Sequence, residues 1–428
     1  MKKNLKLLAV VSALMILSMT GCSSTKSQTT PPASSTNEKP AAKAEVLVSR
    51  WAGPHADDQK ALVKDYSNGK VTIDDVDYGN LKQKQVLSFQ AAPGTSGNYD
   101  AVWVNIQWIK EYVDAGYLYP VDDLIKAENL DTSIYSKGMM DGCKLDGKTY
   151  GLPTYAQCMI IAYDSAVFEK EGQKVPTNLN ELFEVAKYFK SKGSGIAMPA
   201  KQASSSFTLW SQLLFSDEGF YFDSNGKLDL TSDKSVAAAA AYDELAKYAV
   251  QGAVAWSHDE TAEAVRTKVA PIGIIMSGLA NQNHDPEKSK IVDTIKYTTL
   301  NGTSGKTSAN NAFWVWAVPK NATDPAASFK FIKWLTSAEI EKKLTLKNSQ
   351  ISAVESLAKD EEILKKTPFL PTVMTELSNG KIDPALINFS KLKDAITVGL
   401  SELATTDAKP EDVMKKVQNN LKDVDFSK

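Results

Sequence analysis

The sequence predicts an α/β fold, because short apolar strands alternate along the chain with amphipathic helical stretches. Val71–Val76 and Ala101–Val104 have the composition of buried strands. Asp57–Tyr66 and Trp108–Ala115 have the residue spacing of helices. Strands that are separated by helices usually pair in parallel, so we expect mostly parallel sheets. With 428 residues, the chain is long enough for two domains.

The rest of the chain continues this alternation. Asn180–Lys190 has capping asparagines and an apolar face, and Ala237–Val250 contains a helix-favouring run of alanines, so both are predicted helices. Phe313–Val318 is rich in aromatic and β-branched residues and is a predicted strand. Ser390–Val424 is predicted to be helical, with a break at Pro410.

The N-terminus has the parts of an export signal. Positive charge at Lys2 and Lys3 precedes an apolar run, Leu7–Met19, which is too short to span a bilayer. Small residues follow the run directly before Cys22. We therefore predict a signal peptide over residues 1–21 and an exported protein.

Cys22 stands at the predicted cleavage point and resembles the lipobox cysteine of bacterial lipoproteins, with Met19 where that family usually has leucine. The resemblance implies a lipidated Cys22, with acyl chains such as palmitate, at the extracytoplasmic face of the cell membrane. Ordinary secretion, with an incidental Cys22, is the alternative. Residues 22–44 lack large apolar side chains and are a predicted flexible tether. The first predicted strand, Glu45–Trp51, follows the tether.

Charge and cysteine content narrow the possible functions. The chain has 49 Lys and Arg against 51 Asp and Glu. Without the three lysines of the predicted signal peptide, the chain has 46 Lys and Arg against 51 Asp and Glu, a net charge of −5. No basic stripe accompanies this acidity, so we expect no nucleic-acid partner. Beyond Cys22, only Cys143 and Cys158 remain, and we expect two free buried thiols, with a disulfide as the alternative.

The sequence offers no pattern for a metal, a cofactor or catalysis. His55, His258 and His284 are widely spaced and have no paired-ligand spacing, so no metal site is expected. Asn301–Thr307 ends like a phosphate-binding loop, but Leu300 stands where that motif requires glycine. The sequence also has no Gly-x-Ser-x-Gly elbow. We therefore expect no cofactor and no enzymatic activity.

Several segments resemble, in order, those of carbohydrate-type extracellular solute-binding proteins. That family contains the receptors of ATP-driven (ABC) importers, maltose-binding protein among them. The segments are Asp100–Leu124, Asp146–Pro153, Ile160–Asp164 with Phe168–Gly172, and Pro325–Ser337. The resemblance runs from Val46 to the C-terminus. It implies a two-lobe, type II-like periplasmic-binding-protein fold with a ligand cleft between lobes that are joined by several hinge segments.

The resemblance also implies a domain organisation and a set of partners. Lobe one is predicted to comprise 45–153 plus 302–347, and lobe two 154–301 plus 348–428. The expected crossings are Gly151–Pro153, Asn301–Gly302 and Asn348–Ser352, which are rich in residues that interrupt helices and strands. The expected partners are a small carbohydrate ligand and ABC permease subunits. We expect a monomer that contacts the membrane only through its lipid anchor.

Candidate ligand residues lie where strands give way to loops. Aromatic rings stack on the C–H faces of sugars, while amides and charged groups bind hydroxyls. This reasoning predicts Arg50, Trp51, His55, Asn105, Gln107, Trp108, Tyr155 and Gln157. The resemblance adds Trp210, Asn310 and Asn311. Trp314 and Trp316 lie within a strand and are predicted core residues. The family commonly has Gly-Trp near the end of its lobe-two strand, whereas this chain has Met276–Ala280, which lacks that ring.

The sequence therefore favours a lipid-anchored receptor that delivers a sugar, oligosaccharide or polyol to an importer. A secreted polysaccharide-active enzyme and a ligand-sensing module for a membrane kinase are the alternatives. Arg50 leaves the charge of the ligand open. Its planar guanidinium suits the carboxylate of an acidic sugar, but it can equally bind neutral hydroxyls or pair with Asp57 or Asp58.

Overall fold

The computed structural model describes residues 44–52, 56–95, 97–384 and 386–426. The predicted signal peptide, Cys22, most of the tether and His55 lie outside these residues. Within the described part of the chain, no helix is long and apolar enough to cross a membrane.

The described chain alternates strands and helices throughout. The strands are β1 (Ala44–Trp51), β2 (Gly69–Val76), β3 (Ala101–Asn105), β4 (Lys144–Leu145), β5 (Lys148–Thr149), β6 (Leu152–Gln157), β7 (Met159–Asp164), β8 (Ile196–Ala197), β9 (Ile272–Met276), β10 (Ile295–Thr298) and β11 (Ala312–Ala317). The helices are α1 (Ala56–Leu62), α2 (Tyr78–Gln90), α3 (Ile109–Asp114), α4 (Asp122–Ala127), α5 (Lys137–Gly142), α6 (Ser165–Lys170), α7 (Leu179–Ser191), α8 (Ser204–Ser216), α9 (Asp233–Lys247), α10 (His258–Arg266), α11 (Pro325–Leu335), α12 (Ala338–Asn348), α13 (Glu361–Lys366), α14 (Leu370–Ser378), α15 (Phe389–Thr405) and α16 (Pro410–Asn420).

Two larger sheets organise the molecule. The first has the strand order β2-β1-β3-β11-β6, and the second has the order β10-β7-β9-β8. In the first sheet β1 is parallel to β2 and β3, whereas β11 is antiparallel to both β3 and β6. In the second, only β8 and β9 are parallel. The α/β prediction is confirmed, but the prediction of mostly parallel sheets is wrong. Antiparallel pairs occur where the chain passes from one sheet to the other, at β6, β7, β10 and β11.

The chain passes between the sheets several times. β6 belongs to the first sheet as far as Gln157, and β7 belongs to the second from Met159, so the first passage is at Cys158. The second passage lies between β10 and β11 and contains the predicted crossing at Asn301–Gly302. The third passage follows α12, where the chain runs beside β6 and Ala156 N donates to Ile351 O over 2.9 Å. It then continues into α14, α15 and α16.

Local sequence signals explain the helix boundaries. The Asn178 side chain accepts a hydrogen bond from Glu181 N at 3.0 Å and caps α7, which confirms that predicted helix. The predicted C-terminal helix is present as α15 and α16, and α16 begins at Pro410. α15 packs against α8, α9 and α16, and α8 packs against β7. The C-terminal helices therefore belong to the layer that covers the second sheet.

Both cysteines of the described chain are buried and free, as predicted. Cys158 lies at the first passage between the sheets, where burial raises the pKa of its thiol. A buried protonated thiol behaves as a small apolar side chain, so Cys158 fills space at the passage.

Candidate functional site

A group of aromatic rings forms where β1 and β3 end. Trp51, the last residue of β1, stacks on Trp314 with 5.7 Å between ring centroids and 10° between planes. Trp103 of β3 stacks on Trp314 at 4.6 Å and lies 6.5 Å from Trp51, so the three rings contact one another. Trp103 and Trp314 are buried, so the prediction of Trp314 as a core residue is confirmed. They form a rigid base beneath the half-buried Trp51.

Two further rings form the accessible edge of this group. Tyr78, the first residue of α2, is 38% exposed and lies 5.8 Å from the partly exposed Trp108. The Trp108 ring meets Trp314 edge-on at 6.0 Å. We refer to Trp51, Tyr78, Trp103, Trp108 and Trp314 as the ring cluster. It offers the flat apolar surface on which C–H groups stack.

A polar group lies directly beside the ring cluster. The Asn105 side chain accepts a hydrogen bond from Gln107 N at 3.0 Å and caps the short 3₁₀ turn Ile106–Trp108. This turn directs Gln107 toward the C-terminal part of the chain. Gln107 Nε2 donates to Asp383 Oδ2, and Gln107 Oε1 accepts from Lys393 Nζ at 2.7 Å. Gln107 therefore joins the edge of the first sheet to the helical layer of the second.

Asp383 is the centre of this polar group. It is 3% exposed, and its Oδ1 accepts from Tyr221 Oη at 2.7 Å and from Asn310 Nδ2 at 3.0 Å. Burial raises the pKa of the Asp383 carboxyl, whereas burial lowers the pKa of the Lys393 ammonium. The charge of each favours the ionised form of the other. We refer to Gln107, Tyr221, Asn310, Asp383 and Lys393 as the polar cluster, which presents carboxylate, ammonium, hydroxyl and amide groups.

Arg50 lies behind the rings and is fully buried. Its Nη1 donates to Gln59 Oε1 at 2.5 Å, and its Nε donates to Trp51 O at 2.9 Å. The guanidinium lies 4.9 Å from the centre of the Trp103 ring and pairs with Asp75 at 3.5 Å. Burial lowers the pKa of Arg50 to about 10. Arg50 supports the ring cluster from inside and presents no surface to solvent in this arrangement.

Tyr155 and Gln157 lie at the contact between the two sheets. The Tyr155 ring is buried, 6.2 Å from Trp103, and its hydroxyl donates to Gln157 Oε1 at 2.9 Å. Gly278, which follows β9, faces both side chains, and a Cβ at this position would overlap the Tyr155 hydroxyl. Glycine is therefore required at this position of the Met276–Ala280 segment, which lacks the ring common in the family, because Tyr155 occupies the adjoining space.

The structure brings together most, but not all, of the predicted site residues. The ring and polar clusters contain Trp51, Gln107, Trp108 and Asn310, with Asn105 supporting them. Trp210 is fully buried and stacks on Tyr221 at 5.9 Å, one layer behind Asp383. Asn311 belongs to neither cluster, because its Nδ2 donates to Leu377 O of α14 at 3.0 Å.

Sequence reasoning missed Tyr78, Tyr221, Asp383 and Lys393. Tyr78 lies two residues after the end of a predicted strand, so the rule that predicts ligand residues at strand ends could have found it. Asp383 is 276 residues from Gln107, and no local pattern marks it as a partner. Within the described residues, no group of three or more histidine, cysteine, aspartate or glutamate side chains is arranged to hold a metal ion.

The sequence model of one family, the bacterial extracellular solute-binding proteins, matches residues 52–342. The chain belongs to this family. A probable ABC transporter-binding protein of Deinococcus radiodurans is 24% identical over 297 residues, which is 64% of this chain and 69% of the relative. A putative binding protein of Brucella abortus is 28% identical over 168 residues, but this match covers only 37% of the chain and 39% of the relative.

Solved structures of solute-binding proteins share the fold. An ABC transporter solute-binding protein from Agrobacterium radiobacter K84, in complex with ribitol, has a TM-score of 0.79 at 23% identity and covers 90% of this chain and 100% of its own. Maltose-bound MalE3 of T. maritima has a TM-score of 0.78 at 19% identity, covering 88% and 99%. The solute-binding protein therefore has the mixed α/β, two-lobe fold of periplasmic binding proteins, as the sequence predicts. Solute-binding proteins of ABC transporters bind small ligands outside the cytoplasm and work with membrane permeases.

Proposed function

We propose that this solute-binding protein captures a neutral sugar or polyol between its ring and polar clusters and delivers it to an ABC importer. One observation carries the proposal: the flat rings at the strand ends adjoin, through Gln107 and Trp108, an amide that is hydrogen-bonded to both a carboxylate and an ammonium. Rings bind the C–H faces of such a ligand, and the polar groups bind its hydroxyls. The similar proteins with ribitol, maltose and D-mannitol support this ligand class.

The charges favour a neutral ligand over an acidic one. Arg50, the only arginine near the ring cluster, is committed to Gln59, Asp75 and the Trp103 ring. The polar cluster pairs one carboxylate with one ammonium, so its net charge is near zero. A hydroxyl group both donates and accepts, which suits an Asp383–Lys393 pair. An anionic sugar would place a second negative charge beside the buried Asp383.

We also propose the finer organisation of the protein. The sequence predicts lobes of 45–153 plus 302–347 and of 154–301 plus 348–428. We place the first boundary at Cys158 instead, because β6 of the first sheet ends at Gln157 and β7 of the second begins at Met159. Ligand closes the lobes by hinge rotation at the passages between the sheets. The protein acts as a monomer, is held at the membrane by lipid on Cys22, and leaves its ligand chemically unchanged.

Titration calorimetry against ribitol, D-mannitol, maltose and glucuronate tests the ligand class. We expect at least one neutral compound to bind and glucuronate not to bind. Trp108→Ala should weaken binding by about 1 to 3 kcal/mol, the range for loss of a buried aromatic contact. Asp383→Asn, which keeps the shape and removes the charge, should also weaken it. Trp334→Ala is the matched control, because Trp334 lies against Tyr66, away from both clusters.

Three results would count against the proposal. Unchanged affinity in both Trp108→Ala and Asp383→Asn would remove the clusters from the binding site. Preferential binding of glucuronate would overturn the neutral-ligand assignment. Conversion of the bound saccharide, detected by chromatography, would restore the enzyme alternative.

A further inference from the structure

A cavity lies on the opposite face of the first sheet from the ring cluster. Its volume is about 840 Å³, within the range of small-molecule sites. Successive side chains of a strand point to opposite faces. Phe313 and Ala156 line this cavity, whereas their neighbours Trp314 and Tyr155 face the ring cluster. We refer to it as the hinge cavity.

The hinge cavity is built on the passages between the sheets. Ala156 precedes the first passage, Asn311 follows the second, and Ser352 and Ala353 belong to the third. The backbone joins these segments, since Ala353 N donates to Thr154 O over 2.6 Å. A molecule bound here would touch the segments about which the lobes rotate.

The two walls of the cavity belong to different lobes. Met139 lies on α5, which packs against β6 of the first sheet. Met374 lies on α14, which packs against β7 of the second sheet. Rotation of the lobes therefore changes the distance between these walls. Because the cavity and the ring cluster lie on opposite sides of the hinge, opening of one narrows the other.

We propose that the hinge cavity binds a compact apolar molecule with one polar end and thereby favours the closed lobes. Phe313, Leu377, Ile382 and the two methionines supply apolar contact, and methionine adapts its shape to varied ligands. The hydroxyls of Ser136 and Ser356 also line the cavity and can bind the polar end. A wedge between α5 and α14 holds the walls apart and keeps the opposite cleft closed.

Thermodynamic reciprocity gives the proposal a second consequence. An occupant that favours the closed form raises affinity in the cleft, and the cleft ligand raises the affinity of the occupant by the same factor. This coupling rests on the proposed function, whereas the existence of the cavity site does not. The two can therefore fail separately.

Methyl NMR of protein labelled with ¹³C-methyl methionine tests the site directly. The probe is 1-anilinonaphthalene-8-sulfonate, which has apolar rings and one polar end. We expect saturable shifts of the Met139 and Met374 methyls, with Met198 and Met414, which do not line the cavity, unchanged. Absence of saturable shifts, or equal shifts of all methionines, would overturn the proposal.

Cavity-filling variants and the cleft ligand complete the test. Ala156→Leu should fill the cavity and abolish the methyl shifts. If Ala156→Leu does not fold, Ala358→Leu fills the cavity from a position outside β6. Ala404→Leu on α15 is the control and should leave them intact. A saturating neutral polyol should tighten probe binding by about fivefold or more, the lower end of typical coupling. Unchanged probe affinity, with polyol bound in the cleft, would reject the coupling alone. If no neutral sugar or polyol binds, the proposed function fails and the NMR result still decides the site.

Discussion

Glu376 makes the stability of this protein depend on pH. It lies on α14, is fully buried, and its Oε1 accepts from Leu300 N at 2.5 Å. Its Oε2 accepts from Gln212 Nε2 at 3.2 Å and from the Thr307 hydroxyl. Glu376 therefore fastens the second passage between the sheets to helices of lobe two. Burial raises the pKa of its carboxyl from 4.5 to about 7.

The sign of the effect follows from proton linkage. Below pH 4.5 the carboxyl is protonated in both the folded and the unfolded state, so it adds no pH dependence. Between pH 4.5 and about 7 the folded state retains a proton that the unfolded chain has lost, and stability falls as pH rises. Each pH unit costs up to about 1.4 kcal/mol. The total loss is about 3 kcal/mol and is complete above the folded-state pKa.

Glu376→Gln removes this titration and keeps a side chain that can accept from Leu300 N. We expect the free energy of unfolding of the variant, minus that of the wild type, to increase by about 2 to 3 kcal/mol from pH 5 to pH 8. Urea denaturation at both pH values measures the difference. Glu355→Gln, which changes an exposed glutamate, is the matched control. Parallel pH dependences of Glu376→Gln and wild type would refute the reasoning.

Three further predictions concern other parts of the molecule. Gly278→Ala should destabilise the protein by about 1 to 3 kcal/mol in denaturation experiments, because the added methyl overlaps the Tyr155 hydroxyl. Gly138→Ala is the control, because its new methyl has nothing within 4 Å. Equal stabilities of the two variants would contradict the packing described around Gly278. Arg50→Lys should lower thermal stability, because lysine lacks the planar guanidinium that makes the contacts of Arg50. It should leave the affinity for a neutral ligand unchanged. A large loss of affinity would place Arg50 in the binding site. Cys22→Ala should lose metabolic lipid labelling, and equal labelling of both forms would reject the anchor.

The sequence predicts local structure better than it predicts partnerships between distant residues. Helix boundaries such as Asn178 and Pro410 follow from caps and proline, because their physical causes lie within a few residues. The burial of Arg50 depends on the register of β1 and β2, which places it directly opposite Asp75. Neither strand alone contains that information. The predicted sheet direction was wrong for the same reason, since passage between lobes, and not local composition, sets the direction of β6 and β11.

The candidate site likewise contains residues that local sequence predicts and residues that it does not. Trp51 and Trp108 could be predicted because each ends or follows a strand of one sheet, and the ends of parallel strands meet at one edge. The predicted Asn310 and Asn311 separate because adjacent side chains point to opposite faces, and only Asn310 reaches Asp383. Asp383 and Lys393 enter the site from the C-terminal part of the chain, which returns to it only after the third passage.

Under the proposed function, the polar cluster also explains how the ligand and the hinge can act on each other. In this arrangement Gln107 donates to Asp383 and accepts from Lys393, so an amide from the first lobe satisfies both charges of the second. A sugar hydroxyl can make the same two bonds, because it is both donor and acceptor. Ligand binding therefore exchanges hydrogen bonds and changes their net number little. Affinity must then come mainly from burial of the ligand against the ring cluster, and selectivity from the position of Asp383 and Lys393 relative to that cluster, which closure of the lobes sets.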